Sequence, residues 1–215
     1  MCRVNIITEV TMQYRTNLNI IVKKLALFLL YSATLAGLLG LIFVDVYWLH
    51  NFVYEMSLTE LMQEIFLAAI AVGFLVSARR HAEYRAARVL IGGFFLCMLI
   101  RELDFAFDYL HHGAWVWFAL LTTLLCLGYA ARHAASALHG LAHFFNHPSY
   151  GMMCAGLLCI LVFSRLFGMH LLWEGLLLDG YNRVVKNMVE EGCELVGYAF
   201  CLFATCQYLA KPRQA

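Results

Sequence analysis

Residues 25–48 read LALFLLYSATLAGLLGLIFVDVYW, and this stretch decides the class of the fold. Its one charged residue is Asp45. A helix needs roughly 20 apolar residues to cross about 30 Å of hydrocarbon, so the stretch is long enough to span a bilayer. About two dozen fairly polar residues, ending in Lys23 and Lys24, precede it. We therefore expect a retained signal anchor and not a cleaved export signal.

Five further apolar segments are also long enough to cross a bilayer. They cover residues 58–77, 89–108, 114–131, 150–172 and 188–209. The runs lack the alternation of barrel strands, and the backbone of a span in lipid must satisfy its own hydrogen bonds. We predict an all-α fold, a polytopic membrane helical bundle with about six transmembrane helices. Ionisable residues in the third, fifth and sixth segments leave five or seven crossings open.

The composition favours the same class. The chain of 215 residues is 63% hydrophobic and 13% charged, whereas charged residues make up about a quarter of soluble proteins. The formal net charge is +1, and no run of lysine or arginine could neutralise a row of phosphates, which excludes nucleic acid as a partner. The eight cysteines form no CxxC pair and nearly all lie in apolar runs, so we interpret them as small buried hydrophobic residues.

Lysine and arginine fall mainly on one side of the six predicted spans. The loops on the other side contain only Arg183 and Lys186. Short loops rich in lysine and arginine stay cytoplasmic, so we predict cytoplasmic N and C termini and a place in the inner (plasma) membrane. We divide the chain into an N-terminal cytoplasmic or interfacial segment (residues 1–24), one transmembrane domain (residues 25–210) and a cytoplasmic tail (residues 211–215).

Acidic residues collect on the opposite side, and several lie within the predicted spans. Glu60 and Glu64 are four residues apart and share a helix face, and Glu191 and Glu194 follow a similar spacing. An uncompensated ion at the bilayer centre costs from about 2.5 to more than 10 kcal/mol, so we expect such side chains to turn inward and pair. The predicted binding residues are Glu60, Glu64, Arg101, Glu102, Asp104, Asp108, Arg165, Glu190, Glu191 and Glu194.

Two interpretations of this acidic group stay open. Arg101 and Arg165 could neutralise the acids in a structural ion-pair network that fixes the register of the helices. Alternatively, because acids outnumber bases here, the spare carboxylates are protonated or bound to a cation in a cavity that opens to the outside. We favour the second interpretation.

A divalent metal is a further hypothesis for the same side of the membrane. Carboxylate and imidazole side chains suit zinc, manganese or iron. The candidate ligands are Asp108, His111, His112, Glu191 and Glu194. No HExxH motif and no paired ExxH motif accompanies them, so the pattern has low specificity.

Three histidines between the fourth and fifth spans recur every four residues. His139, His143 and His147 would lie along one face of a helix. Three residues along a straight helix spread over about 12 Å and cannot all reach one ion. We therefore expect a stripe that faces solvent or lipid headgroups, on a helix that lies in the inner interface.

The lead hypothesis is a small transporter or channel-like subunit coupled to a cation or proton. A membrane-embedded, metal-dependent hydrolase acting on a lipid is an alternative, and an accessory or assembly subunit of a membrane complex is another. The expected partners are the lipid bilayer and either a cation or a lipid headgroup. A homodimer is compatible with the sequence.

Overall fold

The computed structural model describes residues 2–50, 57–109 and 111–210, and side chains from residue 12 onward except that of Asp179. The predicted tail, residues 211–215, lies outside the described residues. The described part consists of helices and contains no strand, which confirms the all-α class. The helices are α1 (Cys2–Tyr47), α2 (Leu58–Arg80), α3 (Arg85–Glu102), α4 (Asp104–Asp108), α5 (Trp115–Arg132), α6 (Ala134–Phe145), α7 (Tyr150–Leu158), a π-helix (Cys159–Phe163), α8 (Ser164–Phe167), α9 (His170–Leu177), a 3-10 turn (Leu178–Gly180) and α10 (Arg183–Ala210).

Five stretches of helix within the described residues are long and apolar enough to cross a membrane. They are Met12–Tyr47, Leu58–Arg80, Trp115–Arg132, Tyr150–Phe167 and Arg183–Ala210. Each overlaps one of the predicted spans, so the described helices have the length and composition of a multi-pass membrane protein. The first begins well before residue 25, because α1 continues without a break through the segment that precedes the predicted span.

The third predicted span, residues 89–108, is not among these five. Its helix, α3, ends at Glu102, and the chain bends at Leu103 before the short α4. Two charged residues at each end of α3 lower its apolar character. The helix nevertheless runs antiparallel along α2: Arg88 Nη1 donates to Ser77 O at 3.1 Å near one end, and Gly92 faces Leu75 further along.

The fifth predicted span, residues 150–172, ends five residues early. Its helix continues through α7, the π-helix and α8 and stops at Phe167, because Met169 has an extended backbone and α9 forms a separate helix. In a π-helix each N–H bonds five residues back, which fits one extra residue into the turn and rotates the rest of the helix about its axis. The π-helix therefore sets the direction of α8.

The chain divides into two compact units, Met1–Gly40 and Leu41–Ala215. The first contains most of α1, whose side chains from residue 12 onward are largely exposed, including Phe28 and Leu29. The second contains the remaining helices around a core whose fully buried members include Leu67, Ile70 and Leu195.

Helices α7 and α10 of the second unit cross at two glycines. A Cβ added to Gly156 would lie 2.6 Å from Gly197 O, and one added to Gly197 would lie 2.8 Å from Gly156 O. Both distances are too short for real contacts, so the two backbones approach as closely as they do because neither residue has a side chain.

Candidate functional site

The N-terminal half of α10 carries most of the charged groups that lie between helices. Glu194 is almost completely buried, and its Oε1 accepts a hydrogen bond from Ser164 Oγ at 3.0 Å. The same carboxylate forms an ion pair with Arg165, whose Nε also donates to Ser164 Oγ at 3.2 Å. Two adjacent residues of α8 therefore hold the Glu194 carboxylate.

The π-helix explains how both residues reach Glu194. Ser164 and Arg165 come directly after it. The π-helix accommodates one extra residue in its turn. If the same residues formed a regular α-helix, the side chains after this point would be rotated by about 100° about the helix axis. Single π-helical turns inside α-helices occur frequently at functional sites.

A second carboxylate on α10, Glu190, completes this part of the site. Its Oε2 accepts from Lys186 Nζ at 2.8 Å, and its Oε1 lies 3.8 Å from Arg165 Nη1. Gly168 makes room for it, because a Cβ at that position would lie 2.7 Å from Glu190 Cδ. Arg165 therefore bridges Glu190 and Glu194, while Lys186 neutralises the outer side of Glu190.

The third carboxylate of α10, Glu191, faces α2. The side-chain amide of Gln63 donates to Glu191 Oε2 at 3.0 Å and to Glu191 O at 3.1 Å. Gln63 is buried. This contact joins α2 to α10 through a neutral donor, and no cation bonds to the Glu191 carboxylate within the described part of the chain.

Helix α3 contributes Arg101 and Glu102 from its last turn. Tyr198 Oη, fully buried on α10, donates to Glu102 Oε1 at 2.8 Å, and Arg101 forms an ion pair with the same oxygen. The Arg101 side chain is 42% exposed, whereas that of Glu102 is 11% exposed. The carboxylate is therefore held inside while the cation reaches the surface.

Glu60 and Glu64 of α2 line a cleft of about 160 Å³ together with Ser57, Leu61 and Phe105. The charged groups that act on Glu64 are the carboxylates of Glu60 and Glu102. Glu64 makes no hydrogen bond or ion pair with the described residues. Negative charge therefore surrounds a carboxylate that has no cation of its own.

We call these residues of α2, α3, α8 and α10 the carboxylate network. It contains eight of the ten predicted binding residues. They are Glu60, Glu64, Arg101, Glu102, Arg165, Glu190, Glu191 and Glu194. The other two, Asp104 and Asp108, are exposed on α4.

Four members of the surroundings were not predicted: Gln63, Ser164, Lys186 and Asp45. Asp45 is fully buried at the end of α1, where its carboxylate accepts the backbone N–H groups of Leu58 and Thr59, each at 2.9 Å. A carboxylate at a helix N-terminus satisfies orphan donors and the helix dipole, so Asp45 fastens α1 to α2. The sequence Ser57 to Glu60 has the form of a helix cap, and Ser57 Oγ does accept from Glu60 N at 3.1 Å.

The predicted metal ligands are divided between two sets of contacts. Asp108 Oδ2 lies 2.9 Å from His112 Nδ1, and Asp108 Oδ1 accepts from Gly113 N at 3.0 Å. His111 Nδ1 lies 2.8 Å from His112 O. Glu191 and Glu194 belong to the network described above. Among the described residues, no three or more His, Cys, Asp or Glu side chains form a group that could hold a metal ion.

Asp108 lies outside the spanning helices, in an exposed hydrogen-bonded turn. The backbone N–H of Gly113, followed by the His112 side chain, stabilises its ionised form and lowers the pKa of the Asp108 carboxyl below its ordinary value. The turn therefore uses an ionised aspartate to fix the connection between α4 and α5.

The histidine stripe does not face solvent along its length as expected. His143 stacks on Tyr84 with ring centroids 4.5 Å apart, and its Nδ1 lies 3.2 Å from Tyr208 Oη. His147 packs on the Tyr208 ring at 5.1 Å. His139 remains 59% exposed and bonds to Glu83. The expectation fails for His143 and His147, because Tyr84, just before α3, and Tyr208, near the end of α10, give them aromatic partners.

Neither the protein-family models, nor the curated proteins, nor the solved structures with which the chain was compared provide a significant match.

Proposed function

We propose that this chain is a multi-pass protein of the inner (plasma) membrane that binds a proton or cation at the carboxylate network and couples this binding to transport. In this proposal α3 crosses the membrane beside α2, so that six spans leave both termini in the cytoplasm and open the network to the outside. The observation that carries the proposal is Glu64, a carboxylate in a cleft that it shares with Glu60 and without a cation partner among the described residues.

The charge balance of the network supports this role. Six carboxylates are accompanied by three cations, Arg101, Arg165 and Lys186. Each of the three cations already pairs with Glu102, Glu190 or Glu194. Unpaired carboxylates near a membrane interior are stabilised by taking up a proton or a cation. Of the three remaining carboxylates, the proposal assigns this role to Glu64 and Glu191, for which no cation partner is found among the described residues.

The proposal is tested on purified protein in liposomes by following proton flux with a pH-sensitive dye and by repeating the measurement with sodium and potassium gradients. Glu64→Gln removes the charge with little change of shape, and we expect it to abolish most of the flux. Asp104→Asn is the matched control, because Asp104 is an exposed acid on α4 outside the carboxylate network, and this variant should retain the flux. Unchanged flux in Glu64→Gln would refute the proposal.

The paired half of the network favours a second candidate, an accessory or assembly subunit. Arg101–Glu102 and Arg165–Glu194 already compensate their charges, as expected of polar contacts that hold membrane helices together. Extraction in a mild detergent followed by native mass measurement distinguishes the two. A stable complex with other proteins, together with no flux from the isolated chain, would favour the accessory subunit. The hydrolase hypothesis gains no support from the arrangement of the described side chains.

A further inference from the structure

The C-terminal end of α10 carries a second polar cluster, far along the same helix from the carboxylate network. We call it the histidine cluster: Tyr84, Arg88, His139, His143, His147 and Tyr208. Tyr208 lies 14 residues beyond Glu194, which is about 21 Å along a helix. We propose that His143 and Tyr208 of this cluster form a second proton-binding site.

The geometry places a titratable ring in a confined position. His143 is half-buried, its Nδ1 lies 3.2 Å from Tyr208 Oη, and its ring stacks on Tyr84. Tyr208 is 2% exposed and packs between Phe74 and Phe144. The hydroxyl of Tyr208 therefore has a fixed neighbour in His143, and whether it donates or accepts depends on the protonation of that imidazole.

Arg88 is the second observation that singles out this cluster. It is 2% exposed, forms no ion pair with a carboxylate among the described residues, and its Nε has no hydrogen-bond partner there. Its guanidinium lies 5.5 Å from the centre of the Tyr84 ring and 5.7 Å from that of Tyr208. These are the same two rings that contact His143, so a change of charge on His143 acts on the groups that hold Arg88.

The proton transfer can be written without a further reactant. In neutral His143 the unprotonated Nδ1 accepts from Tyr208 O–H, and a proton from the adjacent aqueous phase that adds to Nδ1 makes both nitrogens donors. Nδ1–H then donates to Tyr208 Oη, which must accept and turn its own O–H elsewhere. On release, the imidazolium returns one proton to water and the hydroxyl can donate again. One proton is bound and one is released in each cycle.

The charged and titratable groups around His143 come from three directions. The turn between α2 and α3 supplies Tyr84, with Glu83 bonded to His139 at 3.1 Å. Helix α3 supplies Arg88, and α10 supplies Tyr208. On α6 itself and directly after it, His139 stacks on Tyr84 and His147 bonds to Ser149 Oγ at 2.8 Å.

The two ends of α10 are joined by one buried face that carries protic side chains. The residues are spaced by alternating steps of three and four, which keeps them on a single stripe. They are the buried Glu194, Tyr198, Cys201, Thr205 and Tyr208, preceded on the same stripe by the half-buried Glu191. Their polar atoms are hydrogen-bonded to protein partners: Glu194 to Ser164, Tyr198 to Glu102, Thr205 to Cys201 O and Tyr208 to His143. This pattern supports a proton-exchange role at both ends, and that role rests on the proposed function.

The site itself can be tested without transport. The ring resonances of His143, assigned by comparison with His143→Gln, are titrated by NMR from about pH 5 to about pH 8 in detergent. Tyr208→Phe removes the hydroxyl that contacts His143 Nδ1 in both protonation states, and we expect the titration of the His143 ring to change. His139 is the matched control, because it lies on the same helix and also stacks on Tyr84 but is exposed. The titration midpoint of its ring should not change in Tyr208→Phe.

The role in transport is measured in liposomes with a pH step applied on the side of the histidine cluster. We expect His143→Gln to lower the proton flux several-fold and His139→Gln to leave it unchanged. A His143 that does not titrate in this range, or that titrates with the same midpoint in Tyr208→Phe, overturns the second site even if Glu64→Gln still abolishes flux. Titration as expected in a protein without any flux overturns the proposed function and leaves the site standing.

Discussion

At the carboxylate network, buried acids are matched with cations that reach the surface. At the histidine cluster, by contrast, the buried cation Arg88 is matched with two aromatic rings and with the carbonyl and hydroxyl oxygens of one serine. Glu194 has Arg165, whose side chain is 49% exposed. Arg88 has the faces of two tyrosines, together with Ser77 O and Ser77 Oγ at the end of α2. Helix α10 contributes to both clusters, with Glu194 in its N-terminal half and Tyr208 at its C-terminal end.

The difference teaches how each end responds to the loss of a charge. Removing one partner of an ion pair leaves the other charge uncompensated, which costs more than the pair contributes. A cation that is stabilised by rings and by the negative end of a helix dipole leaves no opposite charge behind when it is removed. We therefore expect the carboxylate network to be the more sensitive of the two to neutral substitutions.

The largest effect should come from the crossing that connects the two ends. Gly156→Ala places a Cβ 2.6 Å from both Gly197 O and Cys201 Sγ, so α7 and α10 must separate. Overpacking costs about 1–3 kcal/mol and occasionally more, and we expect about 3 kcal/mol or more here because two helix backbones must separate. We expect a lower thermal midpoint in detergent and weakened contacts at both ends. Gly151→Ala on the same helix, where nothing lies within 4 Å, is the control and should not destabilise the protein.

The next effect sharpens the comparison at the carboxylate network. Arg165→Met leaves the Glu194 carboxylate, 3% exposed, without its cation. We expect a loss of about 2–3 kcal/mol in the free energy of unfolding, less than for a fully buried pair because Arg165 is half-exposed. Adding Glu194→Gln should restore part of the loss. A double variant as unstable as Arg165→Met alone would show that the charge of Glu194 is not the cause.

A smaller effect is expected at the histidine cluster. Arg88→Met removes the hydrogen bonds to Ser77 and the contacts with two rings, but it strands no carboxylate within the described residues. We expect the free energy of unfolding to fall by about 1–2 kcal/mol, compared with about 2–3 kcal/mol for Arg165→Met under the same conditions. Arg80→Met, at an exposed position on α2, provides the control. The contrast between the two ends would be broken if Arg88→Met cost more than Arg165→Met.

The smallest effect belongs to the exposed turn outside both clusters. The pKa of Asp108 is lowered by Gly113 N–H and His112, so its contribution is present above the ordinary aspartate value and is lost as the pH falls through the lowered pKa. When the thermal midpoint is followed as the pH is lowered, it should decrease less in Asp108→Asn than in the unmodified protein, because the variant lacks this contribution. A variant with the same acid profile as the unmodified protein would exclude a stabilising role for the turn.

Most of the fold could be predicted from runs of apolar residues, because lipid imposes a minimum length on every span. The ends of the third and fifth spans could not. Helix α3 stops at Glu102 although apolar residues continue, and α8 stops before Gly168, where Glu190 of a distant helix occupies the space of a side chain. The second of these ends lies at a tertiary contact that the sequence does not reveal.

The acids of the site could be predicted because a charge in a span must turn inward. Their neutral partners could not, since Gln63 and Ser164 are ordinary residues until α2 and α8 are known to lie beside α10. The histidine stripe illustrates the same limit. Its spacing correctly indicated one helix face, but only the packing of α6 shows that His143 and His147 meet Tyr208.

The π-helix at Cys159–Phe163 has an evolutionary consequence. It behaves as a one-residue insertion into an otherwise regular helix, and in a helix that contains this extra residue the contact of Arg165 with Glu194 depends on it. Deleting a single residue between 159 and 163 would convert the π-helix into an ordinary α-helical turn and leave the hydropathy of the span almost unchanged, so Arg165 would keep its direction toward Glu194. Descendants of this chain that keep the pair are therefore free to lose one residue here, whereas an insertion or deletion between Phe163 and Arg165 would break the contact.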